Sequence, residues 1–282
     1  MSTASKSNHK AIAGRVLAKV ERECDAAGYF NLQYYRYRLL LTEALRLKPA
    51  QSKVLDIGAA PGHLSMALAR LGFQVWGQVH SLQEEYEQSG TQFEPFVVRA
   101  KRYGIQLAEG DIQSQPLPFD DNIFDLILFT EVLEHIWLFP NQILDEIRRV
   151  LKPDGFVLLT TPNAARLVSR LRHLAGHSTG AQLAEMVGLP VHLRHNREYT
   201  MSEVRALLSL CGLRVVATRY FHPHLLTQHM GGSRGERGLR PRSWRQVAKL
   251  ATAPLILAVP PFQGSIYVAA QKQPGKGAVV ES

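Results

Sequence analysis

Apolar positions recur along this chain at two different periods. Between residues 11 and 47 they fall at helical spacing. Ile12, Val16, Leu17 and Val20 form one stripe, and Leu39, Leu40, Ala44, Leu45 and Leu47 form another. Gly28-Tyr29-Phe30-Asn31 interrupts the pattern between them, and Pro49 ends the second helix. From residue 53 onward the pattern changes to short runs rich in β-branched and aromatic residues. These predict strands at 53–57, 73–79, near 105–107, 124–129, 156–161, 213–218 and 265–270. Helical segments fall between most of them, which predicts an α/β fold whose parallel strands are joined by right-handed crossovers.

At 282 residues the chain is long enough for one α/β domain with a full core. Its polar first ten residues predict a disordered tail, and no apolar stretch of a secretory signal follows them. The expected organisation is therefore a tail at 1–10, two covering helices at 11–48, a main domain at 49–272 and a tail at 273–282. Two insertions are expected in the main domain, at about 162–199 and 221–263. With only Cys24 and Cys211 there is neither a disulfide framework nor a Cys-x-x-Cys spacing, which fits a reducing cytoplasm. The net charge of +9 is concentrated in the C-terminal third, where arginines outnumber acids. Such a face suits phosphates, anionic lipid headgroups or nucleic acid, or is simply a solvated surface. The apolar run from Leu250 to Phe262 contains Pro254, Pro260 and Pro261, and is too short and broken to span a bilayer.

The chemistry is carried by the ends of the predicted strands. Val54-Leu55-Asp56-Ile57-Gly58-Ala59-Ala60-Pro61-Gly62 is a buried-type strand running into a glycine turn, and an apolar-periodic helix begins at His63. That layout lets a ligand approach the backbone at a helix N-terminus, where a Cβ would obstruct it. Further on come Glu109-Gly110-Asp111-Ile112, then Asp125-Leu126-Ile127-Leu128-Phe129-Thr130-Glu131-Val132-Leu133-Glu134-His135, then Leu151-Lys152-Pro153-Asp154-Gly155-Phe156. Taken together, this ordered set resembles the class I S-adenosylmethionine-dependent methyltransferases over roughly residues 30 to 220. It is most similar to the branch acting on small molecules, lipids or sugars.

The resemblance implies a Rossmann-like sheet of seven strands, mostly parallel, with the last strand antiparallel and helices on both faces. It implies S-adenosyl-L-methionine as cofactor. Asp56 would lie near the ammonium of the methionine moiety, and Gly58, Ala59, Ala60 and Gly62 would bring backbone against the cofactor. Ala60 stands where the family usually has glycine. Asp111 would accept a hydrogen bond from the adenine amino group, and Ile112 would pack on the ring. Thr130 and Glu131 would stand at the cofactor rim. The Tyr34-Tyr35-Arg36-Tyr37-Arg38 segment resembles a helix that lies over the cofactor with an arginine, here Arg38, toward its carboxylate; an amphipathic helix with snorkelling arginines is the other reading. The family's acid at the end of strand two is missing from Trp76-Gly77-Gln78-Val79-His80-Ser81. Gln78 or His80, or Glu84 or Glu85 from the next segment, would take its place with the ribose.

An oxygen acceptor needs a base, and histidine has a suitable pKa. The candidates are His135 and the segment His192-Leu193-Arg194-His195, with His135 and His195 leading. Glu131, Glu134 and His135 would share one helix face. No metal site is expected, because His-Glu-x-x-His spacing is absent and no third ligand lies nearby in sequence. The leading expectation is O-methylation of a small-molecule, glycan or lipid-linked acceptor. RNA methylation and a non-catalytic cofactor-binding scaffold are the alternatives. Nucleic acid is the weaker partner, because strand four lacks the Asn/Asp-Pro-Pro-aromatic tetrad. Residues 231–262, with Arg234, Arg237, Arg240, Arg242, Arg245 and Trp244, would give a peripheral membrane contact, or else cover the sheet or close a dimer. The sequence leaves the oligomeric state open.

Overall fold

A computed structural model of the chain describes residues 3–23, 27–82, 95–178, 183–222, 254–256 and 258–273. The chain opens with two helices, α1 (Thr3–Glu23) and α2 (Ala27–Leu47). β1 (Lys53–Ile57), α3 (His63–Arg70), β2 (Gln74–Val79), α4 (Phe96–Arg102), β3 (Gln106–Glu109) and β4 (Phe124–Thr130) follow. Then come α5 (Pro140–Val150), β5 (Leu151–Pro162), α6 (Leu167–Leu174), α7 (Leu183–Gly188), α8 (Met201–Leu210), β6 (Leu213–Phe221) and β7 (Ser265–Lys272).

The seven strands form one sheet in the order β3-β2-β1-β4-β5-β7-β6. β1 pairs in parallel with both β2 and β4, and β7 runs antiparallel between β5 and β6. The order reverses at β1 and β4, so crossovers leave their carboxyl ends in opposite directions and open a crevice there. Alternation along β1 distributes side chains to two cores. Val54 packs with Leu17, Leu40, Met66 and Phe96 beneath α1 to α4, while Leu55 and Ile57 pack with Leu144, Ile147, Val204 and Leu208 beneath α5 and α8. Helices thus cover both faces, as the family resemblance implied. A capping box starts α8: Glu203 N–H donates to Thr200 Oγ1, and Thr200 N–H donates to Glu203 Oε2 at 2.7 Å.

Several element boundaries differ from expectation, and Gly28-Tyr29-Phe30-Asn31, expected to break the helical pattern, lies inside α2. Residues 3–10 are helical turns of α1, not a tail. Residues 7, 8 and 10 are exposed, and the segment carries no apolar stripe that would announce the helix. β5 begins at Leu151, which pairs with Phe124 before an irregularity, rather than at 156. The segment after β4 is a single 3-10 turn, Leu133–His135, not a helix, and Glu131 lies outside it at φ +54°. Glu131, Glu134 and His135 therefore do not share a helix face. The first insertion holds α6 and α7 and is closed by a bridge between Asn163 and Tyr199. Most of the second insertion, including Arg234, Arg237, Arg240, Arg242, Trp244 and Arg245, lies outside the described residues, as do Glu84, Glu85 and Cys24. Of the Leu250–Phe262 run, Ile256 is buried, Leu255 is about half exposed, and Pro260–Phe262 forms a 3-10 turn. No described helix is long and apolar enough to cross a membrane.

Candidate active site

The crevice at the carboxyl ends of β1, β2 and β4 gathers most of the residues singled out from the sequence. The turn after β1 is built around two left-handed glycines. Gly58 has φ +70° and Gly62 has φ +89°. An added Cβ at Gly58 would meet Val132 Cγ2 at 2.7 Å, and at Gly62 the Phe96 ring at 2.1 Å. The main-chain N–H groups of Gly58 and Ala59 both donate to Gln78 O at 3.0 Å, which fixes the turn against the tip of β2. Asp56 lies beneath the turn, 2% exposed, and accepts from Ser65 Oγ at 2.6 Å. Burial pushes its carboxyl up to about 7, against the pull of Ser65 and Arg36.

The tips of β2 and β3 form a narrow cleft lined by Gln78, Glu109, Gly110, Asp111 and Ile112 among others. Asp111 Oδ1 accepts from Gln113 N at 3.0 Å, so the carboxylate also braces its own turn. Gln78 is buried, and its amide nitrogen donates to Gly110 O at 2.5 Å and Val79 O at 3.0 Å. That amide therefore ties the strand tips together. Glu109 lines the same cleft, beside the β2 tip, and accepts from Leu82 N at 3.0 Å. It is the carboxylate the sequence reading overlooked, although it stands at a strand end two residues before Asp111. His80 stacks on His192 from the first insertion, with centroids 4.1 Å apart and planes 11° apart.

α2 meets this crevice through Arg36, not Arg38. Arg36 Nη1 lies 3.0 Å from Glu131 Oε2. The buried stripe of α2 runs through Phe30, Gln33, Tyr37, Leu40 and Ala44, and Arg36 falls beside it. Arg38, two residues on, is rotated to the half-exposed side. Phe30 and Tyr37 also enclose His63, the first residue of α3, with ring centroids 5.4 and 6.1 Å away. Burial, with Arg99 nearby, pushes His63 down to about 4. Thr130 ends β4 opposite Thr160.

A polar cluster lies beyond the end of β4. Glu134, 1% exposed, accepts from Thr161 Oγ1 at 3.0 Å, and burial together with Glu131 raises its carboxyl well above the usual range. The rings of His135 and His195 meet edge to face at 4.9 Å. One ligand atom from each of Glu134, His135 and His195 lies within 4.8 Å of the others. Sequence spacing hid this trio, since His195 arrives from the first insertion. Next to it Trp137 and Phe139 are 56% and 58% exposed.

A family model for a methyltransferase domain matches residues 29–218. The chain belongs to the class I S-adenosylmethionine-dependent methyltransferases. A probable S-adenosylmethionine-dependent methyltransferase of Mycolicibacterium smegmatis is 26% identical over 185 residues, covering 66% of this chain and 61% of the relative. A ubiquinone biosynthesis O-methyltransferase of Xanthomonas axonopodis pv. citri is 30% identical over 182 residues, covering 60% and 66%. The chain thus spans a little under two thirds of the length of these relatives. Among solved structures, the putative methyltransferase of Haloferax volcanii in complex with the Trm112 activator matches with TM-score 0.56 at 16% identity, covering 94% of this chain and 99% of that one. A putative sarcosine dimethylglycine methyltransferase of Galdieria sulphuraria matches at 0.55 and 17%, covering 85% and 86%. These likenesses show that the fold is shared.

The methyltransferase cofactor, S-adenosyl-L-methionine, fits the crevice chemically. Its sulfonium and ammonium need anionic or aromatic surroundings, its carboxylate a cation and its adenosine a polar cleft. Arg36 Nε, Glu131 Oε1, Thr160 Oγ1 and both ring nitrogens of His63 are buried without a hydrogen-bond partner. A polar ligand seated at this end of the sheet would supply what these atoms lack.

Proposed function

We propose that this chain transfers a methyl group from S-adenosyl-L-methionine to a hydroxyl oxygen of a small-molecule, glycan or lipid-linked acceptor. The observation that carries the reading is the meeting of His135 and His195, 60 positions apart in sequence, at a buried carboxylate beside the cofactor crevice. The cofactor supplies an activated methyl on sulfur. The protein's work is then to orient the acceptor, exclude water and let the hydroxyl proton go. In this reading the 58–62 turn admits the cofactor close to backbone, and Asp56 and Arg36 face its amino-acid end. Gln78, Glu109, Asp111 and Ile112 line the adenosine cleft. Glu109 takes the ribose role for which strand two carries no acid. Thr130 and Glu131 border the reacting methyl. The acceptor hydroxyl is deprotonated at the His135/His195 cluster.

Exposed Trp137, Leu138 and Phe139 beside that cluster support an acceptor with a hydrocarbon or aromatic part. The ubiquinone O-methyltransferase relatives act in the same chemical direction. The test is labelled-methyl transfer to separated lipid, glycan and RNA pools from a cell extract. Label in an ether-stable product of the lipid or glycan pool supports the reading. Label confined to RNA, or cofactor binding without transfer to any pool, overturns it.

A further inference from the structure

Away from the cofactor crevice, the last two strands and α2 enclose a hollow of their own. Alternation along β7 turns Tyr267, Ala269 and Gln271 toward α2. Ala217 of β6 is the cross-strand partner of Ala269, so two methyl side chains stand together where larger ones would reach the helix. The result is a cavity of about 430 Å³, lined by Glu43, Arg46, Phe156, Val216, Arg219 and Gln271 among others. Its size is that of a small-molecule site. Along α2 the rise from Arg36, at the crevice, to Arg46 is about 15 Å. The lining is not that of a bare apolar face. Arg46 Nε donates to Glu43 Oε2 at 2.6 Å, so this acid is already neutralised. Arg219 stands across from it on the edge strand, exposed and in no ion pair among the described residues. The cavity is therefore left with a net positive charge. Tyr267, the cross-strand partner of Arg219, is 2% exposed, and no hydrogen bond satisfies its hydroxyl. Burial raises that hydroxyl above the usual tyrosine range, and Glu43, Arg46 and Arg219 all act on it, so it lies toward the charged side of the cavity. Phe156, Val216 and Ala217 make the apolar side, with Lys48 Nζ 5.4 Å from the Phe156 ring centroid. A buried hydroxyl left unpaired costs free energy that a ligand oxygen would recover.

We propose that this cavity is a second binding site, for a small carboxylic acid with an apolar body. The carboxylate accepts from the Arg219 guanidinium and the Tyr267 hydroxyl, and Arg46 adds its charge from α2. A guanidinium presents paired N–H donors that match the two oxygens of a carboxylate. The apolar body lies against Phe156, Val216 and Ala217. A neutral ligand of the same shape would leave Arg219 without its counter-charge. An inorganic anion would leave the apolar wall uncovered. The site is separate from the methyl-transfer centre, and the inference does not depend on which acceptor the enzyme uses.

The test is calorimetry of octanoate binding to the full chain, with the cofactor crevice saturated by S-adenosylhomocysteine. Stoichiometric binding of octanoate is expected, with 1-octanol and inorganic phosphate each weaker by about tenfold or more. Arg219→Ala should weaken octanoate by about tenfold or more, because a charge-assisted contact is lost. Tyr267→Phe, which removes only the unpaired hydroxyl, should weaken it about threefold to tenfold. Ala217→Leu, which fills the hollow, should abolish binding. Arg219 and Ala217 lie on the edge strand and are exposed and half-buried, so their variants test the site even where Tyr267→Phe disturbs the fold. Affinity for S-adenosylhomocysteine and the circular dichroism spectrum should be unchanged in the Arg219 and Ala217 variants. Octanoate binding that survives both of them places the acid elsewhere on the molecule and overturns the proposal. Equal binding of 1-octanol overturns the carboxylate assignment, and absence of octanoate binding overturns the site. A dimer in sedimentation that Ala217→Leu dissociates makes the cavity a contact between two copies of the chain, and also overturns it.

Discussion

At Gly62 two constraints coincide. The backbone sits at φ +89°, and the Phe96 ring occupies the space where a Cβ would go, at 2.1 Å. Gly104 is a natural comparison, with φ +66° and nothing within 4 Å of an added Cβ. Gly104→Ala should cost only the left-handed backbone penalty, about 1–2 kcal/mol by urea unfolding. Gly62→Ala should cost about 1–3 kcal/mol more, and displace the turn enough to weaken cofactor binding at least tenfold. Equal losses in the two variants would mean that Phe96 yields freely. Asp56 offers a second test at this scale. Its carboxyl is pushed up to about 7 by burial, so near pH 6 it is mostly protonated. A cationic ligand binds the ionised form better. Cofactor affinity should therefore rise as pH climbs through 7 and level off above it. Calorimetry below pH 7 in buffers of different ionisation enthalpy should show one proton released on binding. Asp56→Asn should abolish both the rise and the release.

Among the elements, α2 carries the sharpest consequence. It joins the cofactor crevice by one arginine, and the two arginines of its Tyr34–Arg38 segment stand on different faces. Removing Arg36 strands the partly buried charge of Glu131, at a cost of about 1–3 kcal/mol. Arg36→Leu should destabilise the fold on that order and weaken cofactor binding more than tenfold, whereas Arg38→Leu should change affinity less than twofold. Calorimetry on the pair decides it, and equal effects would return Arg38 to the site. That choice was illegible in the sequence because both arginines flank the same apolar stripe, and only the packing of Phe30, Tyr37 and Leu40 fixes the rotation of the helix. The strands were legible for the opposite reason. Each is a short apolar run bounded by turn residues, so β1 matches residue for residue and β2, β4, β6 and β7 differ by one to three positions at an end. The glycine turn was equally plain, since its chemistry is local. The meeting of His135 with His195 was not, because it depends on how the first insertion folds back across the end of β4.

For the molecule as a whole, the two titrating groups beneath the cofactor crevice pull stability in opposite directions with pH. His63 is buried and neutral, pushed down to about 4. Its depressed value means that the unfolded chain takes up the proton first, so its contribution is full above about 6.5 and is lost as pH falls toward 4. Asp56 is pushed up to about 7. Its raised value means that the native state holds the proton, so its contribution is full below about 4 and is lost as pH rises through 7. Between pH 5 and 7 one native group holds a proton that its unfolded counterpart lacks, and the other does the reverse. The two slopes nearly cancel, which gives the native protein little pH dependence from this pair across the range in which the enzyme would work. Single substitutions should uncover each slope. Relative to the wild type, His63→Phe should gain about 2 kcal/mol of unfolding free energy on going from pH 7 to pH 5, because the term that weakens on acidification is gone. Asp56→Asn should lose about the same amount over the same interval. Urea unfolding at the two pH values measures both differences, and the double variant should return close to the wild-type slope. If His63→Phe shows no gain on acidification, the His63 ring is already protonated in the native state, and the aromatic enclosure formed by α2 does not exclude the charge.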